Sequence, residues 1–411
     1  MPNHSLPERS ALLPSTEMST RSMILTFGLL SALFAAGYGV MFTVLDDFRN
    51  EFGIGEAALG WVVAVGFFSA FIAQIAIAPL ADRGHARRLV LVGMLFNIVG
   101  LLAMAVGTTI VSLLIARIVM GVGAGMAAPA VRRIVILADP DHLGQNLGRL
   151  LAADVAGFAS GPAVSALLVG PLGLPAPFVV IAAATVLCLP VIVRVRVDEA
   201  AAGTAPVERF AFDLLAIRPF AGAVVLAAVA FMMIGTFDAM WALVLDDLDA
   251  SVWMSNLGIT LFALPLVVFA SAGGRLAQRV GPFRVSAAGL LAASVYMFLY
   301  GQVPTAVGMF VVAMVHAVSD GVSMSASGVA AGMVVPPERQ ASAQGLLGGV
   351  QTLVAGVTAV LAGVVYEGAG RTTAYTACAI AMVSLTLWGC YLARESWSLR
   401  AERATVAPLP V

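Results

Sequence analysis

The 411-residue chain contains no lysine, and all 22 of its basic side chains are arginine. Schiff-base chemistry and lysine proton relays are thereby excluded, because arginine keeps its proton under ordinary conditions. Charge of either sign is scarce: Asp, Glu and Arg make up 11% of the residues against 60% hydrophobic ones, with a mean hydropathy of +0.98. A soluble fold of this length needs far more charge on its outside, so the chain belongs in a bilayer. No polar stretch is long enough for a separate soluble domain. The three cysteines, Cys188, Cys378 and Cys390, all lie in apolar runs and give neither a disulfide framework nor metal-ligand spacing. A net charge of -1 with no basic block outside short loops offers nothing to nucleic acid.

What the chain has instead is apolar runs of about twenty residues, the length that crosses a hydrocarbon core as a helix. The pattern predicts an all-α integral membrane protein with twelve transmembrane helices near 22–45, 57–81, 88–107, 109–134, 147–169, 173–194, 219–244, 254–277, 283–301, 305–334, 341–366 and 372–393. The polar first 21 residues precede an apolar run too long for the core of a cleavable signal peptide, so that run is expected to stay as the first span. With the N-terminus placed in the cytoplasm, 19 of 22 arginines fall on inner segments, only Arg49 and Arg371 fall outside, and Arg117 lies within a span. The positive-inside rule then sets both termini in the cytoplasm.

The longest polar break, residues 194 to 219, divides the chain into halves. The expected organisation is a cytoplasmic tail (1–21), a six-helix bundle (22–194), a cytoplasmic linker (195–218), a second six-helix bundle (219–393) and a second tail (394–411). The halves also repeat in sequence. Val44-Leu45-Asp46-Asp47 returns as Val244-Leu245-Asp246-Asp247, Leu80-Ala81-Asp82-Arg83 as Leu276-Ala277-Gln278-Arg279, and Pro140 with Gly148 as Pro337 with Gly345. Two parallel repeats around a central site suit a machine that rocks between two facings.

The stretch IAPLADRGHARRLVLVG, residues 77 to 93, resembles the G-x-L-A-D-R-x-G-R-R loop between helices two and three of the major facilitator superfamily. Leu80, Ala81, Asp82, Arg83, Arg87 and Arg88 match; Ala78 replaces the first glycine, and Gly84-His85-Ala86 holds one extra residue. The resemblance implies that Asp82 and one of Arg87 or Arg88 form a latch at the cytoplasmic side, with Asp139 as a third member. Topological anchoring alone is the plainer account of these arginines. RIVMGVGAGMAAPAVRR resembles the family's R-x-x-x-G-x-G pattern through Arg117, Gly121 and Gly123, and such small residues let helices approach closely in lipid. AGFASGPAVSA, residues 156 to 166, resembles G-x-x-x-G-P-x-x-G-G of the family's proton-coupled exporters. Gly157, Gly161 and Pro162 match, while Ser165 and Ala166 stand in for the last two glycines. An ordinary packing kink accounts for the same residues.

By depth along the spans, Arg117 and Asp320 fall near the midplane, Asp154 about a third of the way in from the cytoplasm and Asp238 about a quarter from outside. Each charge costs about 2.5 to 3.5 kcal/mol to insert, so each is a functional candidate. His316 and Asp320 are four apart and share a helix face, which suits proton exchange between carboxyl and imidazole; a static hydrogen bond is the alternative. Asp238 matches the position of Tyr38 in the first repeat, so both are expected at a central cavity. Aromatic and thioether residues of helices seven and ten, among them Phe237, Trp241 and Met314, are read as mostly packing or lipid-facing, the rest lining an apolar cavity.

The expectation is a secondary transporter in the cell membrane that exports a small lipophilic substrate in exchange for protons. Proton-driven uptake of a metabolite on the same fold is the alternative, and a non-transporting membrane receptor or scaffold a remote one. No cofactor or metal is called for, membrane lipid is the surrounding partner, and a monomer is expected. No His-Glu zinc spacing, Gly-x-Ser-x-Gly or phosphate-cradling loop points to an enzyme.

Overall fold

The computed structural model describes residues 19–195 and 210–400. The expected tails up to residue 18 and from 401, and the linker segment 196–209, lie outside the described residues, as do Arg9, Arg196, Arg209 and Arg403.

Among the described residues every regular element is a helix, as a bilayer requires of a chain whose backbone groups must all be paired internally. The first half holds α1 (Thr20–Thr43), the short α2 (Leu45–Phe52), α3 (Glu56–Ala76), α4 (Ala86–Val106), α5 (Ile110–Ala138), α6 (Leu143–Leu172) and α7 (Ala176–Arg194). The second holds α8 (Arg218–Asp247), α9 (Val252–Val280), α10 (Pro282–Gln302), α11 (Ala306–Ser323), α12 (Ala326–Val334) and α13 (Gln340–Leu392). Eleven segments are long and apolar enough to cross a membrane, with α11 and α12 together forming one. At 53 residues α13 runs to about 80 Å, more than twice a hydrocarbon core of about 30 Å. Gly370, at φ 79°, interrupts its helical geometry, so the last segment has length enough for two crossings.

The boundaries differ from the sequence expectation where the local chemistry is special. The second apolar run leaves regular α-helix after Ala76, and the chain then turns through Ala81–His85. There Gly84 adopts φ 83°, a left-handed conformation that glycine takes without a side-chain clash. The tenth run is broken between Ser323 and Ala326.

Three apolar cores hold the molecule. One lies wholly in the second half, built around Phe220, Trp241, Tyr300 and Tyr375. A second joins Val40, Phe48, Leu101 and Phe178 of the first half. The third, around Phe27, Val90 and Val135, also takes in Ala277, Ala326, Val329 and Ala341 of the second half. The halves are therefore packed together at one end of the bundle, the end where Arg87, Arg88, Arg133, Arg279 and Arg339 gather.

Candidate functional site

At the arginine-rich end each half caps a helix of the other. Asp82 is buried, and its Oδ1 accepts from Nε of Arg133 at 3.0 Å and from the Ala341 N–H at 2.9 Å, while Oδ2 accepts from the Ser342 N–H at 2.7 Å. The last two donors are at the N-terminus of α13, where unpaired N–H groups and the helix dipole favour an anion. Gln278, the repeat partner of Asp82, accepts from the Gly144 N–H at 2.8 Å and donates to the carbonyls of Pro140 and Asp141, both at 3.1 Å. It thus caps α6 as Asp82 caps α13. Between the caps the backbones touch: a Cβ on Gly144 would lie 2.1 Å from the Gly274 carbonyl oxygen, and one on Gly148 2.1 Å from that of Ala270.

The latch partner differs from the expectation. Arg133, from α5, meets Asp82, whereas Arg87 donates to the Val193 carbonyl at the end of α7. The extra residue and the Gly84 turn carry Arg87 away, and Arg83 and Arg88 lie exposed at the same end. Asp139 is separate too, bonded to His142 at 2.9 Å and to the Asn146 amide at 3.0 Å. Burial raises the Asp139 pKa, but these bonds outweigh it and hold the carboxyl below the usual carboxylate range. Nearby, Arg339 grips Asp213 with two bonds of 2.8 and 2.9 Å, tying the segment before α8 to the start of α13. That guanidinium holds the Asp213 carboxyl low.

In the middle of the first half Arg117 is fully buried. Its guanidinium carbon stands 4.4 Å from the ring centre of Tyr38, a cation–π contact, and its Nε donates to the Val62 carbonyl at 3.3 Å. Among the described residues, Nη1 and Nη2 of Arg117 and the Tyr38 hydroxyl have no hydrogen-bond partner. Asp154, on α6, faces Arg132 and is hydrogen-bonded by Ser31 of α1.

In the second half His316 and Asp320 meet as their spacing predicts, with Nε2 3.4 Å from Oδ2. The Tyr300 hydroxyl lies 2.9 Å from Nδ1, and the Met233 sulfur 3.2 Å from Nε2. Both members are buried, and Arg117 faces Tyr38 of the first half. Asp238 is exposed, and among the described residues no side chain pairs with it. Met232, Met233, Phe237, Trp241 and Met309 are core residues, Phe237 stacking on Trp241 at 4.8 Å.

The three residues matched on helix five lie in α6, which runs unbroken through Pro162. Gly157 and Gly161 bring α6 against α1: a Cβ on Gly157 would lie 2.1 Å from the Ala32 carbonyl oxygen, and one on Gly161 2.2 Å from the carbonyl carbon of Gly39. Sequence reasoning missed Arg133, Tyr300 and the Asp213–Arg339 pair. The adjacent Arg132-Arg133 at the inner end of helix four was the available signal for the first.

Among curated proteins, the chain is 27% identical over 148 residues to the quinolone resistance protein NorA of Staphylococcus aureus (strain MRSA252), covering 36% of this chain and 38% of that one. It is 29% identical over 158 residues to multidrug resistance protein 1 of Bacillus subtilis (strain 168), 37% of this chain and 39% of that one. The matches thus span less than two-fifths of these relatives. Among solved structures, the human organic anion transporter MFSD10 superposes with a TM-score of 0.72 over 92% of this chain and 100% of its own, at 16% identity. The proton:xylose symporter XylE, bound to 6-bromo-6-deoxy-D-glucose, gives 0.74 over 91% of this chain and 96% of its own, at 14% identity. Family matching assigns residues 27–244, and again 223–409, to the Major Facilitator Superfamily. With both halves matched and the whole fold shared, the chain belongs to the major facilitator superfamily and is a multi-pass membrane transporter, not an enzyme.

Proposed function

We propose that the protein exports small lipophilic compounds across the cell membrane in exchange for protons, by alternating access. In this reading α13 crosses twice, giving twelve spans with both termini in the cytoplasm, and the protein works as a monomer in lipid with the proton gradient as its energy source and no cofactor. The observation that carries it is the reciprocal capping at the arginine-rich end. Asp82 and Gln278 each hold a helix of the opposite half only while that end is shut, so releasing both is a discrete switch between two facings. With the arginines inside, the described arrangement is closed toward the cytoplasm. Export rather than uptake is favoured by the kinship with two proteins named for drug resistance, and by the close α1–α6 approach at Gly157 and Gly161.

Protonation supplies the coupling. Asp320, Asp238 and Asp154 are carboxyl groups inside the spans that can change charge, whereas Arg117 cannot. Protein in liposomes, given a pH gradient and a panel of lipophilic cations, neutral drugs and small acids, tests the reading. Substrate and protons moving in opposite directions, with the coupling lost in Asp320→Asn, are the expected result. Movement in the same direction would establish uptake by symport, and absence of flux with every compound would refute the reading.

A further inference from the structure

The chain that leads into α8 has two unlike faces. Ala211–Ala216 forms a short 3-10 helix, in which residues three apart eclipse one another. Ala211 and Leu214 are packed into the core of the second half, whereas Phe212 and Leu215, on another side, are 52% and 39% exposed. Phe210 adds a second ring, 41% exposed and 6.3 Å, centre to centre, from that of Phe212. Asp213 carries the only charge in residues 210–217, and Arg339 neutralises it. An uncharged outward face of two phenylalanines and a leucine is unsuited to water.

Depth and neighbours identify what meets that face. Arg218 opens both α8 and a segment long and apolar enough to cross the membrane, so the 3-10 helix ends where the apolar span starts. Beside it is the C-terminal end of α13. Arg218 pairs there with Glu395 at 3.7 Å, and the Arg394 guanidinium lies 4.5 Å from the ring centre of the exposed Tyr391, with Trp388 also exposed. Aromatic rings and arginines at the ends of spans are the pattern of a bilayer's headgroup zone, where the ring meets the acyl boundary and the charge meets phosphate. The preceding residues 196–209 include no Leu, Ile, Met or aromatic side chain with which to cover such a face.

We propose that residues 210–217 are an in-plane anchor in the leaflet at the arginine-rich end, with Phe210, Phe212 and Leu215 seated between lipid headgroups and acyl chains, and that Asp213 links this anchor to the closure. The link, which rests on the two-facing reading above, is short. Asp213, next to Phe212, is held by both Nη atoms of Arg339 at 2.8 and 2.9 Å. Arg339 immediately precedes α13, and the amides of Ala341 and Ser342 that Asp82 caps follow two and three residues later. The start of α13 is thus gripped from two sides, by the opposite half through Asp82 and by the leaflet through Asp213. Rocking of the second half has to tilt or shift the anchor against the lipid headgroups, so the membrane surface resists opening of that end.

Two measurements on the full chain in phosphatidylcholine–phosphatidylglycerol liposomes test the proposal, with the three native cysteines replaced by alanine. An environment-sensitive fluorophore on Phe212→Cys is first exposed to lipids carrying a nitroxide in the headgroup, near the top of the acyl chain or near its end. Quenching about threefold stronger from the two shallow nitroxides than from the deep one is expected. A label that no lipid quenches, whether residues 196–209, a second copy or water lies against it, would overturn the anchor, and so would strongest quenching from the deep nitroxide. The second measurement follows the distance between spin labels at the exposed His85→Cys and Arg284→Cys, in opposite halves. Phe212→Ser and Asp213→Asn are each expected to raise the open fraction about threefold, and the double variant no further, because both cut one link. Additive effects, or a shift in Asp213→Asn without one in Phe212→Ser, would overturn the coupling. One unchanging distance in the wild type and every variant would instead sink the two-facing reading, while the depth of residue 212 would still decide the anchor.

Discussion

Replacing Asp82 by Asn tests the switch most directly. The carboxylate accepts three hydrogen bonds, but only those from Ala341 and Ser342 join the halves, since Arg133 belongs to the same half and can stay with residue 82 in either facing. Asparagine offers one oxygen. In its better placement the oxygen keeps Arg133 and Ala341, and the amide nitrogen meets the Ser342 N–H, donor against donor. A charge-assisted bond contributes about 1.5 to 3 kcal/mol, and the bond that remains is weakened to a neutral one. The shut arrangement should lose about 2 to 4 kcal/mol relative to the open one, a population shift of roughly 30- to 700-fold at 1.4 kcal/mol per factor of ten. Spin labels at His85→Cys and Arg284→Cys, exposed positions at the arginine-rich end of opposite halves, read the separation once the three native cysteines are replaced by alanine. Pulsed dipolar spectroscopy should show a longer distance component gaining weight in Asp82→Asn. An unchanged distribution would refute the capping argument, because it would mean that the two α13 bonds carry no part of the closure.

Three further outcomes follow from the same geometry. Gly148→Ala places a methyl 2.1 Å from the Ala270 carbonyl oxygen and should open the arginine-rich end, whereas Gly363→Ala meets nothing within 4 Å and should leave the label distance unchanged. Gly66→Ala puts a Cβ 2.5 Å from Nη2 of Arg117, so the guanidinium must move from Tyr38; transport should fall at least tenfold with the protein still monodisperse on gel filtration. The third concerns pH. Because Arg339 lowers the pKa of Asp213, their pair stabilises the fold above the ordinary carboxylate range and is lost as pH falls through the lowered value. Asp213→Asn should therefore lower the thermal midpoint at pH 7, by on the order of 1 kcal/mol of stability, and the gap to wild type should close on acidification toward pH 3.

Hydropathy carried most of the spans into view, because lipid leaves a crossing segment few alternatives to an apolar helix. The repeat of Asp82 by Gln278 and of Gly148 by Gly345 was likewise visible as spacing, and both pairs lie at the contact between halves. Partner choice was not. Arg87 and Arg88 follow Asp82 closely in sequence, yet the left-handed turn at Gly84 points the chain elsewhere, and the true donors are an arginine 51 positions away and two backbone amides that no side chain advertises. Periodicity placed His316 and Asp320 on one helix face but gave no means of choosing which neighbour that face meets. In lipid, apolar residues surround a helix on every side, so the contrast that orients a soluble helix is absent.

The meeting of α6 and α9 through Gly144, Gly148, Gly274 and Ala270 has a mechanical consequence. Two surfaces made almost wholly of backbone carry no long side chains that must trade rotamers before they slide, so the seam behaves as a low-friction bearing. Resistance to motion is then concentrated in the polar caps at its ends rather than spread along its length. A single added methyl group in the seam has no flexible side chain to displace, so it must push the two backbones apart.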